Sequence, residues 1–190
     1  IAIDKLVPYR NHRFTLYKGE RLEDMIQSIS KNGVITPIIV RAMENGKYEI
    51  LSGHNRVYAA GQAGLTSVPA VVKTDLSDED AEIYVVETNL IQRGFKDLKI
   101  SEQAFAVGLR YSKLFDERKL KGINDELYLI ENGKPNPNAD VPLEHSTTRE
   151  ATAEQYGISS ATVARLLRVD KLIDEFKELV DKENIKLRSA

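Results

Sequence analysis

Cysteine is absent from the 190-residue chain, which excludes disulfides, thiolate metal sites and thiol catalysis and agrees with a cytosolic compartment. No apolar run approaches the roughly 18 to 20 residues of a bilayer-spanning helix, and the amino end lacks a signal-peptide pattern. No membrane partner is expected. Charge of one sign is also lacking: the formal net charge of −2 does not by itself suggest a nucleic-acid binder. No internal repeat is evident. The chain opens on Ile1 rather than methionine, and it reads as a trimmed piece of a longer protein.

What is present can fold. The 42% hydrophobic content supplies a core for one substantial domain or two small ones. Charge is unevenly spread. Residues 75–87 hold Asp75, Asp78, Glu79, Asp80, Glu82 and Glu87 with no basic residue, whereas residues 93–121 carry eight basic against four acidic side chains. That net +4 is either a phosphate-facing surface or a solvated helix face.

The first half alternates helix-like and strand-like signals. "RLEDMIQSISKNG" puts Leu22, Met25, Ile26 and Ile29 at helical spacing and stops at Gly33. "TPIIVRAMENGKYEIL" predicts two strands joined through Asn45-Gly46, a pair that tolerates positive φ in tight turns. "SVPAVV" predicts a short strand, and "LSDEDAEIYVVETNL" a helix capped by Ser77 with acids in its first turn. The second half is nearly all helix-like. Ser101 is expected to cap a helix over "SEQAFAVGLRYSKLFDERK", and "DKLIDEFKELVDKE" closes the chain with an apolar stripe of Leu172, Ile173, Phe176, Leu179 and Val180. Between them, Pro, Asn and Gly in residues 122–147 predict a loop-rich insertion, with "ELYLI" a short ordered element at most. The class is therefore α+β: a small mixed α/β domain over residues 1–93, then an all-α domain over residues 94–190.

Within the second domain, "REATAEQYGISSATVARLLRV", residues 149–169, holds two short helices with Gly157 at the turn. A small Ala153 lets the helices cross closely, Gly157 permits the turn, and Tyr156, Ile158, Val163, Leu166 and Leu167 pack the pair. Ser159 would cap the second helix and place Ser159, Ser160, Thr162, Arg165 and Arg168 where a recognition helix faces a major groove. An ordinary helical hairpin also fits this spacing. Residues 147–190 are balanced, eight basic against eight acidic, so phosphate neutralisation by this piece alone should be modest and a dimer would help.

In "EILSGHNRVYAAGQAGL", residues 49–65, a strand hands over to a helix through Gly53, His54, Asn55 and Arg56. The glycine allows close approach to the backbone, and the first helical amides point outward as donors to an anion. Arg56 adds a cation that forks onto phosphate oxygens, and His54 and Asn55 add donors. A capped helix whose arginine pairs with a nearby acid is the alternative. "ETNLIQR", residues 87–93, adds a carboxylate at Glu87, an amide at Asn89 and a cation at Arg93. Glu87 and Asn89 have the oxygen chemistry of Mg²⁺ ligands, and the two clusters together would make a triphosphate site with a metal. Apart, Glu87 and Arg93 are a surface ion pair.

These stretches, in this order, resemble the three amino-terminal boxes and the following helix-turn-helix of the ParB, RepB and KorB partition proteins, over roughly residues 5–180. "NHRF" makes the versions on plasmids and mobile elements the nearest. The resemblance implies a ParB and sulfiredoxin-like amino-terminal domain that binds CTP with Mg²⁺. It implies a homodimer that closes as a clamp on a specific double-stranded DNA site, works with a ParA-type ATPase, and sits in the cytoplasm on the nucleoid or a plasmid. It assigns the phosphate loop to Gly53–Arg56, the metal and phosphate cluster to Glu87, Asn89 and Arg93, and the surroundings of base and sugar to Gly33–Pro37. Two positions depart from the pattern. Asn55 stands where that phosphate box commonly has arginine, and Arg93 lies four residues beyond Asn89 rather than three, with Thr88 between Glu87 and Asn89. No catalytic residue is assigned, and activity would be at most slow CTP hydrolysis. A ParB-like transcriptional regulator is one alternative. Another is a phosphotransferase or nuclease on the same fold, with His54 or Glu87 as base; sulfiredoxin chemistry is excluded by the missing thiol.

Overall fold

The computed structural model describes residues 1–111, 117–137, 149–183 and 187. The chain divides into two compact units, Ile1–Thr88 with Asp125–Asn136, and Asn89–Asn124 with Pro137–Ala190.

The first unit is built on a four-stranded sheet of β1 (Leu6–Pro8), β2 (Ile38–Ala42), β3 (Tyr48–Ser52) and β4 (Ala70–Lys73) in the order β1-β3-β2-β4. β2 and β3 form the antiparallel hairpin, while β1 runs parallel to β3 and β4 parallel to β2. The hairpin turn is the expected one: Gly46 has φ +74, and the Asn45 side chain accepts from the Lys47 amide. Three helices follow the sequence signals. α1 (Glu20–Asn32) stops at Gly33, whose φ of +69 is a left-handed value that glycine adopts without strain. α2 spans His54–Gln62 and α3 Asp78–Arg93, the latter with Ser77 Oγ accepting from the Asp80 amide. Ile29 of α1, Ala59 and Ala60 of α2, Ile38 and Val40 of β2, Val34 and Val68 make one buried cluster. The small residues of α2 let it sit close to the sheet, so the loop at its amino end has a rigid backing.

The second unit is helical. α4 (Ile100–Tyr111), α6 (Arg149–Tyr156), α7 (Ser160–Asp170) and α8 (Asp174–Asp181) surround a core of Phe95, Ala104, Val107, Ala153, Val163, Leu166 and Val169. The expected cap of α4 is corrected. Its first turn begins at Ile100, and Ser101, inside it, donates its amide and hydroxyl to the Asp181 carboxylate at 2.8 and 2.6 Å. A carboxylate at a helix amino end satisfies free amides and meets the positive end of the helix dipole. On α8, Val180 is buried, but Ile173, Phe176 and Leu179 remain exposed.

The loop expected from residue 122 is also corrected. α5 (Glu117–Asn132) continues through it, with Ile123 and Leu127 buried one turn apart, and ends at Gly133 with φ +66. The rest of the expected insertion, residues 138–147, lies outside the described residues. Among those described, no helix is long and apolar enough to cross a membrane.

Candidate functional site

β3 ends at Ser52, and the chain turns into α2 through Gly53 at φ +96, ψ 23. A Cβ there would lie 2.6 Å from Ile38 Cγ2 and 3.2 Å from Arg56 Nε. Both the backbone angle and the space therefore require glycine. No side chain caps the amino end of α2, and the first amides of a helix have no intrahelical partner, so the backbone here suits an anion.

The three polar residues after Gly53 do different work from one another. His54 Nε2 accepts the Tyr9 amide at 3.4 Å, and its ring lies 3.7 Å from that of His12. Burial, with His12 adding to it, pushes the His54 pKa down to about 2, so the ring is neutral and brings no charge to an anion. Asn55 Oδ1 accepts the Tyr17 amide at 2.8 Å. His54 and Asn55 thus fasten the irregular segment 9–19 across the start of α2. Arg56 is turned inward. Its Nη1 donates to the carbonyls of Thr36 and Pro37 at 2.8 and 2.9 Å, and its Nη2 to Ser52 Oγ at 3.3 Å and Glu131 Oε1 at 3.1 Å. Burial lowers the Arg56 pKa, and Glu131 opposes that shift by favouring the charged form. The arginine therefore ties the Gly53–Arg56 loop to Thr36 and Pro37, on the segment expected beside base and sugar, whose first residue, Gly33, is the stop of α1.

The second cluster, Glu87, Asn89 and Arg93, runs along the last two turns of α3, with Glu87 in the first unit and the other two in the second. Glu87 and Asn89 are both buried on α3, two positions apart, and so point roughly 200° away from each other around the helix. One ion would not meet both in this arrangement. Among the described residues no three His, Asp or Glu side chains come together as a metal site. Arg93, 8% exposed, lies 4.0 Å from the buried Glu102 on α4, inside the second unit. Both members of this pair are already counted in the net +4 of residues 93–121, and of the other basic residues Lys96 and Lys99 are exposed.

The helix pair is formed as the sequence reads. Gly157 has φ +61 at the turn, the Ile158 amide reaches the Ala153 carbonyl at 2.9 Å, and Ser159 Oγ accepts from the Thr162 amide at 3.1 Å. Val163, Leu166 and Val169 are buried. Ser159 and Arg168 are exposed, and Ser160, Thr162 and Arg165 are half-buried. Arg165 and Arg168, three apart, share a face away from Val163.

The sequence reading missed two carboxylates of α5 in the first unit, one of them at the Gly53–Arg56 loop. Glu131 is the carboxylate on Arg56, and Glu126 holds both Lys73 of β4 and, at 2.6 Å, the Tyr84 hydroxyl of α3. Their signal was the i, i+4 spacing of Ile123 and Leu127, masked by the Gly and Asn beside them.

Comparison with known proteins agrees with this architecture. Residues 1–89 match the family model of the ParB N-terminal domain. The whole chain aligns at 30% identity with nucleoid occlusion proteins of Geobacillus sp. (strain WCH70) and Lysinibacillus sphaericus (strain C3-41), covering 55% and 52% of them. The chain thus spans about half the length of these relatives. In fold it is similar to a truncated chromosome-partitioning protein ParB of Caulobacter crescentus, solved in complex with the centromeric parS site. That likeness has a TM-score of 0.50 and 23% identity, over 98% of this chain and 79% of that one. Residues 1–89, just under half of the chain, are thus similar to the ParB N-terminal domain family.

Proposed function

We propose that this protein is a sequence-specific binder of double-stranded DNA of the partition type. In this reading α7 reads the site, and the Gly53–Arg56 loop holds the triphosphate of CTP. The observation that carries it is the helix pair, where Ser159 caps α7, Val163, Leu166 and Val169 are buried, and Arg168 with the half-buried Arg165 one turn before it lies on the side away from Val163. That is the arrangement in which a recognition helix offers its amino end and basic face to a major groove. The names of the relatives favour DNA of the nucleoid as the target. A homodimer and a ParA-type ATPase belong to the proposal as the partners through which such a binder acts on segregation.

For the nucleotide, support comes from the uncapped amino end of α2, the glycine that a side chain would fill, and the tie from Arg56 to Pro37. Ser159, Ser160, Thr162, Arg165 and Arg168 are the proposed DNA contacts. Gly53, Asn55 and Arg56 are the proposed surroundings of the phosphates, whereas Asn89 and Arg93 belong to the second unit. His54 supports the loop from behind, and Gly33–Pro37 flank the base. Because Glu87 and Asn89 face opposite ways, no step is routed through a shared Mg²⁺.

The test has two arms. Selection of binding sites from a random duplex library should return one enriched motif, and calorimetric titration with CTP, other nucleotides and Mg²⁺ should show CTP preferred. A flat selection counts against the DNA reader. Equal or absent binding of all nucleotides removes the gating and leaves the DNA reader standing.

A further inference from the structure

We infer that the carboxyl-terminal half of α5 is a plug on the phosphate loop, with the Glu131 carboxylate held by Arg56 where a nucleotide phosphate would be held, and displaced when one binds. The inference rests on the phosphate-loop reading of Gly53–Arg56 and adds its regulation.

Carboxylate and phosphate oxygens are recognised by the same guanidinium fork, so one can substitute for the other. Arg56 engages Glu131 Oε1 at 3.1 Å from 75 residues away in sequence, and its other partners are neutral carbonyl or hydroxyl oxygens. The pair is partly wet, 13% and 22% exposed, so water and a competing anion can reach it. Glu131 also lies beyond the 1–89 stretch that matches the family domain; the plug is supplied from elsewhere in the chain.

The packing of α5 suits a hinged element. Ile123 and Leu127 are buried, and Glu126 is fixed by Lys73 and Tyr84. From Tyr128 to Pro137 no residue is buried, and Leu129 is 48% exposed. The helix is thus anchored by buried side chains near Glu126, whereas around Glu131, five residues or about 7.5 Å further along its axis, it is held by polar contacts, Asn136 to Asp125 at 2.7 Å among them. Release of Glu131 disturbs little apolar packing and leaves the anchor in place. Nucleotide would bind the fraction of molecules in which Glu131 has let go, and its apparent affinity would fall by that fraction.

The experiment titrates the full chain with CTP and, separately, inorganic tripolyphosphate, each with Mg²⁺, and follows amide hydrogen exchange over residues 125–136. Glu131→Gln should bind both about five- to tenfold more tightly than the unaltered chain. In the unaltered chain, ligand should raise exchange around residues 128–136 while the amides near Glu126 stay protected. If the unaltered chain binds CTP but neither affinity in Glu131→Gln nor exchange at 128–136 changes, the plug is overturned and the phosphate loop stands. If neither protein binds CTP or tripolyphosphate, the phosphate-loop reading fails and the plug with it. Should Glu131→Gln not fold, Glu131→Asp withdraws the carboxylate by one methylene, and the exchange measurement on the unaltered chain decides alone.

Discussion

The Tyr17 backbone amide donates to Asn55 Oδ1 at 2.8 Å. This gives Asn55 a structural task at a position where the resemblance leads one to expect a second arginine: it fastens the segment that crosses the start of α2. A neutral hydrogen bond of this kind contributes about 1 kcal/mol. Asn55→Ala should lower unfolding free energy by about that amount and speed amide exchange at Tyr17. Asn55→Asp, which keeps the acceptor oxygen, should change both less. Equal exchange at Tyr17 in the alanine variant would show that the segment is held elsewhere.

Gly53→Ala should destabilise the first unit by about 2 to 4 kcal/mol, because the methyl meets Ile38 Cγ2 and the backbone stays left-handed. Urea midpoints measure it. A loss below about 0.5 kcal/mol, inside the range of ordinary surface changes, would mean that the strand-to-helix turn relaxes more easily than its geometry indicates.

Acid should loosen the same region. The His54 pKa falls from an ordinary 6.5 to about 2 in the folded chain, chiefly through burial, with His12 adding to it. Between those values the unfolded chain takes up a proton that the folded chain refuses. The contribution of His54 is therefore fully present above pH 6.5 and is lost progressively below it, by up to about 1.4 kcal/mol per pH unit. Denaturation midpoints between pH 7.5 and 5 should show the decline, and His54→Gln should flatten it. Parallel curves for the two proteins would assign the acid sensitivity to other groups.

Glu49 is the buried half of an ion pair on the sheet, with Arg41 Nη2 at 2.6 Å and side-chain exposures of 4% and 15%. It also accepts the Arg10 amide at 3.2 Å. Removing one member of a buried pair leaves the other charge uncompensated and costs about 3 to 5 kcal/mol. Arg41 retains Asp78 at 2.8 Å and the Leu76 carbonyl at 3.2 Å, so Glu49→Ala should fall at the lower end of that range, and Glu49→Gln lower still. Equilibrium unfolding in urea separates the two variants, and a loss under about 1 kcal/mol for alanine would place the pair among exposed ones in energy.

What the sequence made legible was local. Asn45-Gly46, Gly33, Ser77, Gly157 and Ser159 each act within a few residues of themselves, and the hairpin, the helix ends and the α6–α7 turn follow from them. Partners that come from far along the chain were hidden. Ser101 reads as a cap until Asp181, 80 residues on, satisfies that helix end. Arg56 reads as a phosphate ligand, yet Glu131 reaches it across 75 residues. The opposed directions of Glu87 and Asn89 were implicit in one continuous helix through residues 78–93, which places i and i+2 apart. α5 was lost because Gly122, Asn124 and the Pro-containing stretch after it weigh toward loop, whereas tertiary burial of Ile123 and Leu127 overrides those propensities.

Under the proposed function, the two arginines of α7 take different roles. Arg165 is half-buried beside the α7 core, whereas Arg168 is exposed, with its Nε toward the Ala164 carbonyl at 3.4 Å. A recognition helix contacts base edges from its amino-terminal part, so the proposal assigns base reading to Arg165 and a phosphate contact to Arg168. Arg165→Ala should cost about 1 to 3 kcal/mol on the selected site and relax its preference at one base pair. Arg168→Ala should weaken selected and random duplexes alike and reduce the salt slope of binding by about one. Fluorescence anisotropy over a salt series with both duplexes distinguishes them. Equal losses on selected and random DNA for Arg165→Ala would move base reading away from that residue, to Ser160 or Thr162 nearer the start of the helix.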